Sequence, residues 1–126
     1  MKVSGLADFL EQKNTVLSKV PAVFFEKIKE ICKLKPNQEC CGIIYEKDNN
    51  LFVLECDNLS RDVENSFVVD SSYFIEYDVR YVYHSHCKGS CSPSVCDMKS
   101  SDELCIPFLI YSLRDDNFYL YQNVGV

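Results

Sequence analysis

The two histidines of the chain, His84 and His86, stand two residues apart in the segment YVYHSH. This segment is rich in aromatic and β-branched residues, which is typical of a β-strand, so both imidazoles point to one face with their backbones about 6.6 Å apart. Asp97 follows after a loop of Gly, Ser and Pro that can fold back over the strand end. Two imidazoles and one carboxylate, with a fourth position open to water, are typical of a catalytic zinc site rather than a closed structural one.

Ser94 and Asp97 also have the spacing of a helix capping box, with aspartate in the position of the more usual glutamate. A single histidine on a strand is more often a hydrogen-bonded core or surface residue than a metal ligand. Capping and metal binding are compatible, however, because a cap holds the serine and aspartate side chains in place. The combination at this spacing therefore favours a metal site.

The elements that must position these residues begin with an amphipathic helix. Apolar residues at helical spacing predict it from Ala22 to about Leu34, where Pro36 disfavours its continuation. The next predicted elements are a buried strand, a hairpin turn and a partner strand, with the sequences CCGIIYE, KDNN and LFVLECD.

The second half of the chain predicts a short extended piece, NSFVVD, and a helix through SYFIEYDV that Asp70 or Ser71 would cap. A further helix begins at Ser94, and the strands PFLIYSL and FYLYQNV are joined by the turn RDDN. Strands outnumber helices, and the helices interrupt them irregularly. This order predicts an α/β fold of the α+β type, a single domain with a central mixed β-sheet flanked by helices. We place the domain at residues 21–126, after an N-terminal extension, residues 1–20, of uncertain order.

Composition excludes several classes of protein. The chain has 126 residues, a net charge of −6 and no basic cluster longer than a pair, which argues against nucleic-acid binding. No apolar run approaches the length of about 18 residues that a membrane span needs, and Asp8 and Glu11 interrupt the apolar start before a signal-peptide core could form. We therefore expect a cytoplasmic protein. Its eight cysteines are fewer than in a disulfide scaffold, so we expect most of them to be reduced core residues.

The pattern His-x-His, seven further residues, then Ser-x-x-Asp resembles the signature of the JAMM (JAB1/MPN/Mov34) zinc metalloproteases. That family also has an upstream Glu-x-Cys-Gly at the start of a strand that follows a helix, and Glu39-Cys-Cys-Gly42 stands in that place here. The resemblance spans roughly residues 20–123 and implies the JAMM/MPN architecture, which is cytidine-deaminase-like. DNLSRDVENSFVVDSSYF and IPFLIYSL are most similar to segments of the small bacterial and phage members, including phage tail-assembly proteins.

The resemblance implies a zinc-dependent hydrolase that cleaves peptide or isopeptide bonds. Carried over residue by residue, His84, His86 and Asp97 would bind Zn²⁺, Glu39 would move the proton of the attacking water, and Ser94 would donate a hydrogen bond to the oxyanion. The substrates that it implies are a ubiquitin-like tail, a sulfur-carrier adduct, a phage structural protein or a cell-wall peptide. A phage-encoded member would act in the host cytoplasm or in the virion tail. The oligomeric state is not predicted.

Other functions are compatible with parts of this pattern. JAMM-like domains without metal ligands serve as non-catalytic scaffolds or assembly modules, and a thiol paired with a histidine would make a cysteine hydrolase. Cys87 stands where the family usually has proline, and Cys87, Cys91 or Cys96 could replace Asp97 in a structural zinc site. A zinc deaminase would need His-x-Glu and Pro-Cys-x-x-Cys, and the chain has neither motif in these places.

Overall fold

The computed structural model describes residues 20–123, in which three helices and five strands are found. Residues 1–19 of the expected extension lie outside the described part, and its last residue, Val20, packs in the core. The elements, in chain order, are α1 (Ala22–Lys33), β1 (Cys41–Lys47), β2 (Asn50–Cys56), α2 (Ser72–Glu76), β3 (Asp78–His86), α3 (Val95–Leu104), β4 (Phe108–Ser112) and β5 (Asn117–Tyr121).

The five strands form one sheet in the order β2-β1-β3-β4-β5. β3 and β4 are parallel, and the other neighbouring strands are antiparallel. The α+β fold with a mixed sheet, predicted from the sequence, is confirmed. Because two parallel neighbours cannot be joined by a tight turn, the chain must cross over between them, and α3 lies in that crossover.

Alternation along the strands divides the core between the two faces of the sheet. Ile28 and Cys32 of α1 pack with Ile44, Tyr83 and Leu109 on one face. The core on the opposite face is formed by Ile43, Val82 and Phe108. Residues of the loop after β2 and of α2 pack against them. His84 belongs to this second face, as the strand alternation predicts, since its ring contacts Phe67 and Phe108.

Several predicted elements are confirmed. α1 begins at Ala22 and ends at Lys33, and α3 begins after Ser94, as predicted. The hairpin between β1 and β2 turns at Asp48 and Asn49, both at positive φ. Two central residues in that conformation make the type I′ turn that Asp and Asn tolerate best after glycine.

One predicted extended piece is wrong. Residues 65–70, NSFVVD, form no strand and belong to the loop between β2 and α2. Their apolar side chains, Phe67 and Val69, pack on the second core cluster instead of pairing with a neighbouring strand. Burial against the sheet face therefore explains the apolar pattern that indicated a strand.

The predicted helix through Val79 is too long. α2 ends at Glu76, and β3 already begins at Asp78, which pairs with Glu46 of β1. Pairing with β1 therefore extends the strand into a segment that has helical spacing. Of the two predicted caps, Asp70 acts through its side chain, because its Oδ1 accepts a hydrogen bond of 3.0 Å from the N–H of Ser72.

The cysteines are less buried than expected. Four of them are buried thiols, at positions 32, 40, 41 and 56, whereas Cys87 and Cys91 are half-buried and Cys96 and Cys105 are exposed. The expectation that most cysteines lie in the core therefore holds for half of them.

No helix within residues 20–123 has the length and apolar character that a membrane crossing would require.

Gly42 of the Glu-Cys-Cys-Gly motif lies where no larger residue fits. A Cβ built there would overlap the carbonyl oxygen of Leu54 and the ring of Tyr83. Gly89, in the loop after β3, is a matched contrast, because a Cβ built there meets no heavy atom within 4 Å.

We expect Gly42→Ala to lower the free energy of unfolding by about 1–3 kcal/mol, because the packed strands around it cannot move apart without strain. Gly89→Ala should change it by less than about 0.5 kcal/mol. Urea unfolding of the two variants beside the wild type measures both effects. Equal midpoints for the two variants would contradict the close packing at Gly42.

Candidate metal centre

His84, His86 and Asp97 meet at the end of β3, where the chain leaves the sheet for α3. Their ligand atoms lie within 4.8 Å of one another, so this group could bind a metal ion. Within residues 20–123, no other group of three or more His, Cys, Asp or Glu side chains has its ligand atoms this close together. The structure thus brings together the three residues that the sequence predicts as ligands.

The distances within this group suit a small ion. Nε2 of His84 lies 3.1 Å from Oδ1 of Asp97, and Nε2 of His86 lies 3.1 Å from Oδ2. The two Nε2 atoms are 3.3 Å apart. Ligands about 2.0–2.1 Å from a tetrahedral ion are about 3.3 Å from one another, so the three atoms are spaced like three corners of such a site.

The tautomer of His86 follows from its second nitrogen. Nδ1 lies 2.7 Å from the backbone carbonyl oxygen of Ser90. A carbonyl only accepts, so Nδ1 carries the hydrogen and a neutral ring has its lone pair on Nε2. Metal-binding histidines are commonly oriented in this way by a carbonyl or carboxylate at the other nitrogen.

The lone pair on Nε2 of His86 faces the carboxylate of Asp97, and this contact is repulsive unless a positive charge lies between the two groups. With His86 neutral, Nε2 and Oδ2 of Asp97 are two acceptors 3.1 Å apart. Either a proton or a metal ion must lie between them. Burial alone would lower the pKa of His86, but the hydrogen bonds to Asp97 and Ser90 outweigh it and raise that pKa, which favours a proton in this position when no metal is bound.

His84 is fully buried. Its ring stacks on Phe67 with the centroids 4.3 Å apart, and the ring of Phe108 meets it edge-on at 5.9 Å. Burial lowers the pKa of His84, although Asp97 opposes this shift. Its imidazole is therefore held neutral, which is the state that binds metal. Among the described residues, Nδ1 of His84 has no hydrogen-bond partner.

The position of Asp97 depends on the start of α3. Its N–H donates to Oγ of Ser94, and the N–H of Ser94 donates to Oδ2 of Asp97, both at 3.0 Å. This reciprocal pair is the predicted capping box, so the capping and ligand roles of Asp97 coexist. Burial would raise the pKa of Asp97, but the hydrogen bonds to His84, His86 and Ser94 hold it well below its usual range.

Glu39 reaches the site through strand pairing. Cys41 is the partner of His84 in the antiparallel pair of β1 and β3. The N–H of Ser85 donates to the carbonyl of Cys40 at 2.9 Å, and the N–H of Cys40 donates to Oγ of Ser85, also at 2.9 Å. Glu39 comes directly before Cys40, and its own N–H leaves the strand pairing to donate to the carbonyl of Val63 at 2.6 Å. Glu39 is buried, and burial raises its pKa to about 7, with His86 opposing the rise and Asp97 and Asp62 adding to it.

One cavity of about 670 Å³ joins these residues, and its lining includes Glu39, His86, Ser94 and Asp97. Ser94 is exposed to it. Because Oγ of Ser94 accepts from Asp97, its own hydrogen is still available to donate to a ligand in the cavity. The structure thus places all five residues singled out in the sequence at one site, with His84 buried directly behind it.

The cysteines near this site do not belong to the ligand group. Burial, and then the nearby Glu39, raises the pKa of Cys87 to about 11, so its thiol stays protonated at neutral pH. Within residues 20–123, neither imidazole forms a hydrogen bond to a sulfur atom; the partners are Asp97, Ser90 and the other imidazole. Both observations count against a cysteine hydrolase and a cysteine-bound structural zinc.

Two serines support the site without having been singled out in the sequence. Ser85 fixes residue 40 and so the position of Glu39, and Ser90 orients His86 through its backbone. The role of Ser85 could have been predicted, because a small polar residue between two strand histidines is a recognisable signal. The role of Ser90 could not, because it acts through its backbone carbonyl, which is present at every position.

No protein-family model and no curated protein matches the sequence. A number of solved structures resemble the fold, and two of them serve as examples. The solution structure of protein DSY2949 from Desulfitobacterium hafniense has a TM-score of 0.58 and 18% identity, over 76% of this chain and 75% of that one. The solution structure of a protein from Salinibacter ruber has a TM-score of 0.52 and 18% identity, over 82% of this chain and 79% of that one. At this identity the likeness supports the fold alone.

We expect the purified protein to bind one divalent ion, and Asp97→Asn to weaken that binding by more than about 100-fold, because it removes the only charged ligand. Cys96→Ser, next to it on the same helix, should leave the affinity unchanged. Metal analysis after dialysis against a competing chelator measures both. Loss of metal in the cysteine variant alone would overturn the ligand assignment.

We also expect Glu39→Gln to stabilise the metal-free protein at pH 8 by about 1–3 kcal/mol. The pKa of the Glu39 carboxyl rises from about 4.5 to about 7 on folding. At pH values above about 7, its ionisation therefore destabilises the folded state relative to the unfolded state. At pH 4 the carboxyl is protonated in both states, and the difference between variant and wild type should vanish.

Urea unfolding with a chelator present, at pH 4 and pH 8, measures this difference. Glu55→Gln is the matched control, because Glu55 is exposed and pairs with Lys35 at 3.4 Å. It should change the stability by less than about 1 kcal/mol at either pH. A wild type that is as stable as Glu39→Gln at pH 8 would show that Glu39 is not buried as described.

Proposed function

We propose that this protein is a zinc-dependent hydrolase of the JAMM type that cleaves peptide or isopeptide bonds. The observation that supports it best is the meeting of Glu39 with the ligand group. These residues come from separate segments, yet Glu39, His86 and Asp97 line one cavity, and the charges of His86 and Asp97 both act on the pKa of Glu39. A motif that matched by chance would not be expected to converge on one cavity.

We propose zinc as the ion, because the resemblance to the JAMM family implies it and the ligand set suits it. Two imidazole nitrogens and one carboxylate oxygen are typical of zinc enzymes, whereas magnesium and calcium prefer sites made of oxygen ligands. The ligand spacing, 3.1–3.3 Å between the three atoms, agrees with a tetrahedral ion. When bound, zinc supplies Lewis acidity, which makes water more acidic and a carbonyl more electrophilic.

Three side chains, Glu39, Ser94 and Asp97, would have different roles in such a reaction. Glu39 accepts the proton of the attacking water and returns it to the leaving amine, for which a pKa near 7 in the metal-free protein is well matched. Ser94 donates its free hydrogen to the oxygen that becomes negative in the transition state. Asp97, held by the capping box, keeps the ligand geometry rigid.

We expect Glu39→Gln to retain zinc and to lower the rate of hydrolysis by about 10²–10⁴-fold, which is the usual contribution of a general base. The measurement is cleavage of a peptide pool by the zinc-loaded protein, followed by mass spectrometry, with zinc content determined in parallel. Glu55→Gln, which lies outside the cavity, should keep wild-type activity. Normal hydrolysis by Glu39→Gln would refute its role as the base.

A second outcome separates this proposal from the scaffold alternative. A wild type that binds zinc but cleaves neither the peptide pool nor isopeptide-linked ubiquitin-like conjugates would favour a non-catalytic assembly module. In that case the metal would stabilise the fold without taking part in a reaction.

A further inference from the structure

The cavity extends beyond the metal ligands and Glu39 along an apolar wall. This wall, called the apolar arm below, consists of Phe67, Val69, Phe74, Val82, Leu104 and Phe108. Its residues come from the loop after β2, from α2, β3 and β4, and from the last turn of α3. Apolar lining with a few polar groups at one end is typical of a pocket that binds part of an organic ligand.

The apolar arm begins at the metal site itself. Phe67 and Phe108 both line the cavity and both contact the ring of His84. Val82 lies on the same face of β3 as His84, two residues earlier, and so about 6.6 Å from it along the strand. An extended peptide advances about 3.3 Å per residue, so this distance corresponds to two residues of a bound peptide.

Four charged residues line the cavity, and none of them belongs to the apolar arm. Glu64 and Lys88 pair with each other at 3.7 Å, and Lys88 follows β3 in the chain, beyond His86. Glu39 and Asp97 belong to the site described above. The charged lining residues within the described part of the chain are these four, so the apolar arm contains none.

We infer that the apolar arm is a substrate subsite that binds a bulky apolar side chain, such as leucine or phenylalanine, within two residues of the bond that is cleaved. This inference rests on the proposed hydrolase function and names the class of its substrate. A peptide chain whose residues near the scissile bond are small would leave the arm in contact with water. Such a chain should therefore bind less tightly than one with bulky apolar residues.

The size of the effect follows from burial of apolar surface. Enclosing one leucine-sized side chain, compared with an alanine, typically changes binding by about 10- to 100-fold. The cavity volume of about 670 Å³ leaves room for such a side chain beside the backbone of the peptide.

The direct test is a binding measurement on the zinc-loaded protein with peptide hydroxamates, which anchor to zinc without being cleaved. Two pairs are needed, with Leu-Leu or Ala-Ala next to the hydroxamate, on its acyl side in one pair and on its amine side in the other. Calorimetry should give a Kd at least about tenfold lower for Leu-Leu than for Ala-Ala in one of the pairs. Values within threefold in both pairs, or no binding by any probe, would overturn the subsite.

A matched pair of variants locates the preference. Ser100 is exposed and lines the cavity, one helical turn before Leu104, so Ser100→Trp should fill the arm and reduce the preference to less than about threefold. Lys99 is also exposed on α3 but does not line the cavity, so Lys99→Trp should keep the wild-type preference. A preference that survives in Ser100→Trp would place the subsite elsewhere and overturn the inference.

The two proposals fail in different ways. Cleavage of the peptide pool with no bulky apolar residue enriched near the cut bonds would overturn the subsite and leave the hydrolase standing. A Leu-Leu preference that Ser100→Trp removes, in a protein that cleaves neither the peptide pool nor isopeptide-linked conjugates, would overturn the hydrolase and support the arm as a binding subsite for apolar side chains.

Discussion

The carboxylate of Asp97 lies against Nε2 of two imidazoles, and this contact is stable only if a positive charge lies between the three groups. Without a metal, a proton on His86 would supply that charge, and the hydrogen bonds to Asp97 and Ser90 raise the pKa of this imidazole. A divalent ion supplies it better, because three lone pairs can then point to one centre. The neutral, fully buried state of His84 and the capped position of Asp97 both hold the group ready for such an ion.

The position of β3 in the sheet is what brings the other groups to this point. Its antiparallel neighbour β1 delivers Glu39 from one side, and the crossover to its parallel neighbour β4 delivers Ser94 and Asp97 from the other. A strand at the edge of the sheet could receive residues from one neighbour only. The central position also leaves one face of β3 for the apolar arm beside the ligands. Val82 is the residue of β3 that belongs to this arm.

Local spacing was enough to predict much of this from the sequence. His84 and His86 share a face because strands alternate, and the capping box places Asp97 at a helix start that the sequence marks clearly. Glu39 could not be chosen from the other carboxylates by spacing, because its place depends on strand register, and only the family resemblance indicated it. The contacts of Phe67 with His84 were not predicted either, since NSFVVD resembles a strand until the sheet face that buries it is known. The helix predicted through Val79 fails for a similar reason, because pairing with β1 outweighs the local helical pattern.

The strand order also has a kinetic consequence. The three ligands lie within residues 84–97, but Glu39 meets them only after the long segment between β1 and β3 has closed, which is a slow step in folding. An unfolded chain therefore offers an ion ligands that are not held together, because the capping box of α3 and the sheet around β3 are what fix them, and tight binding follows the formation of both. Capture of metal during refolding should then coincide with the final formation of native structure, and free metal at 100 times its Kd would shift the equilibrium towards the folded chain by about 2.7 kcal/mol.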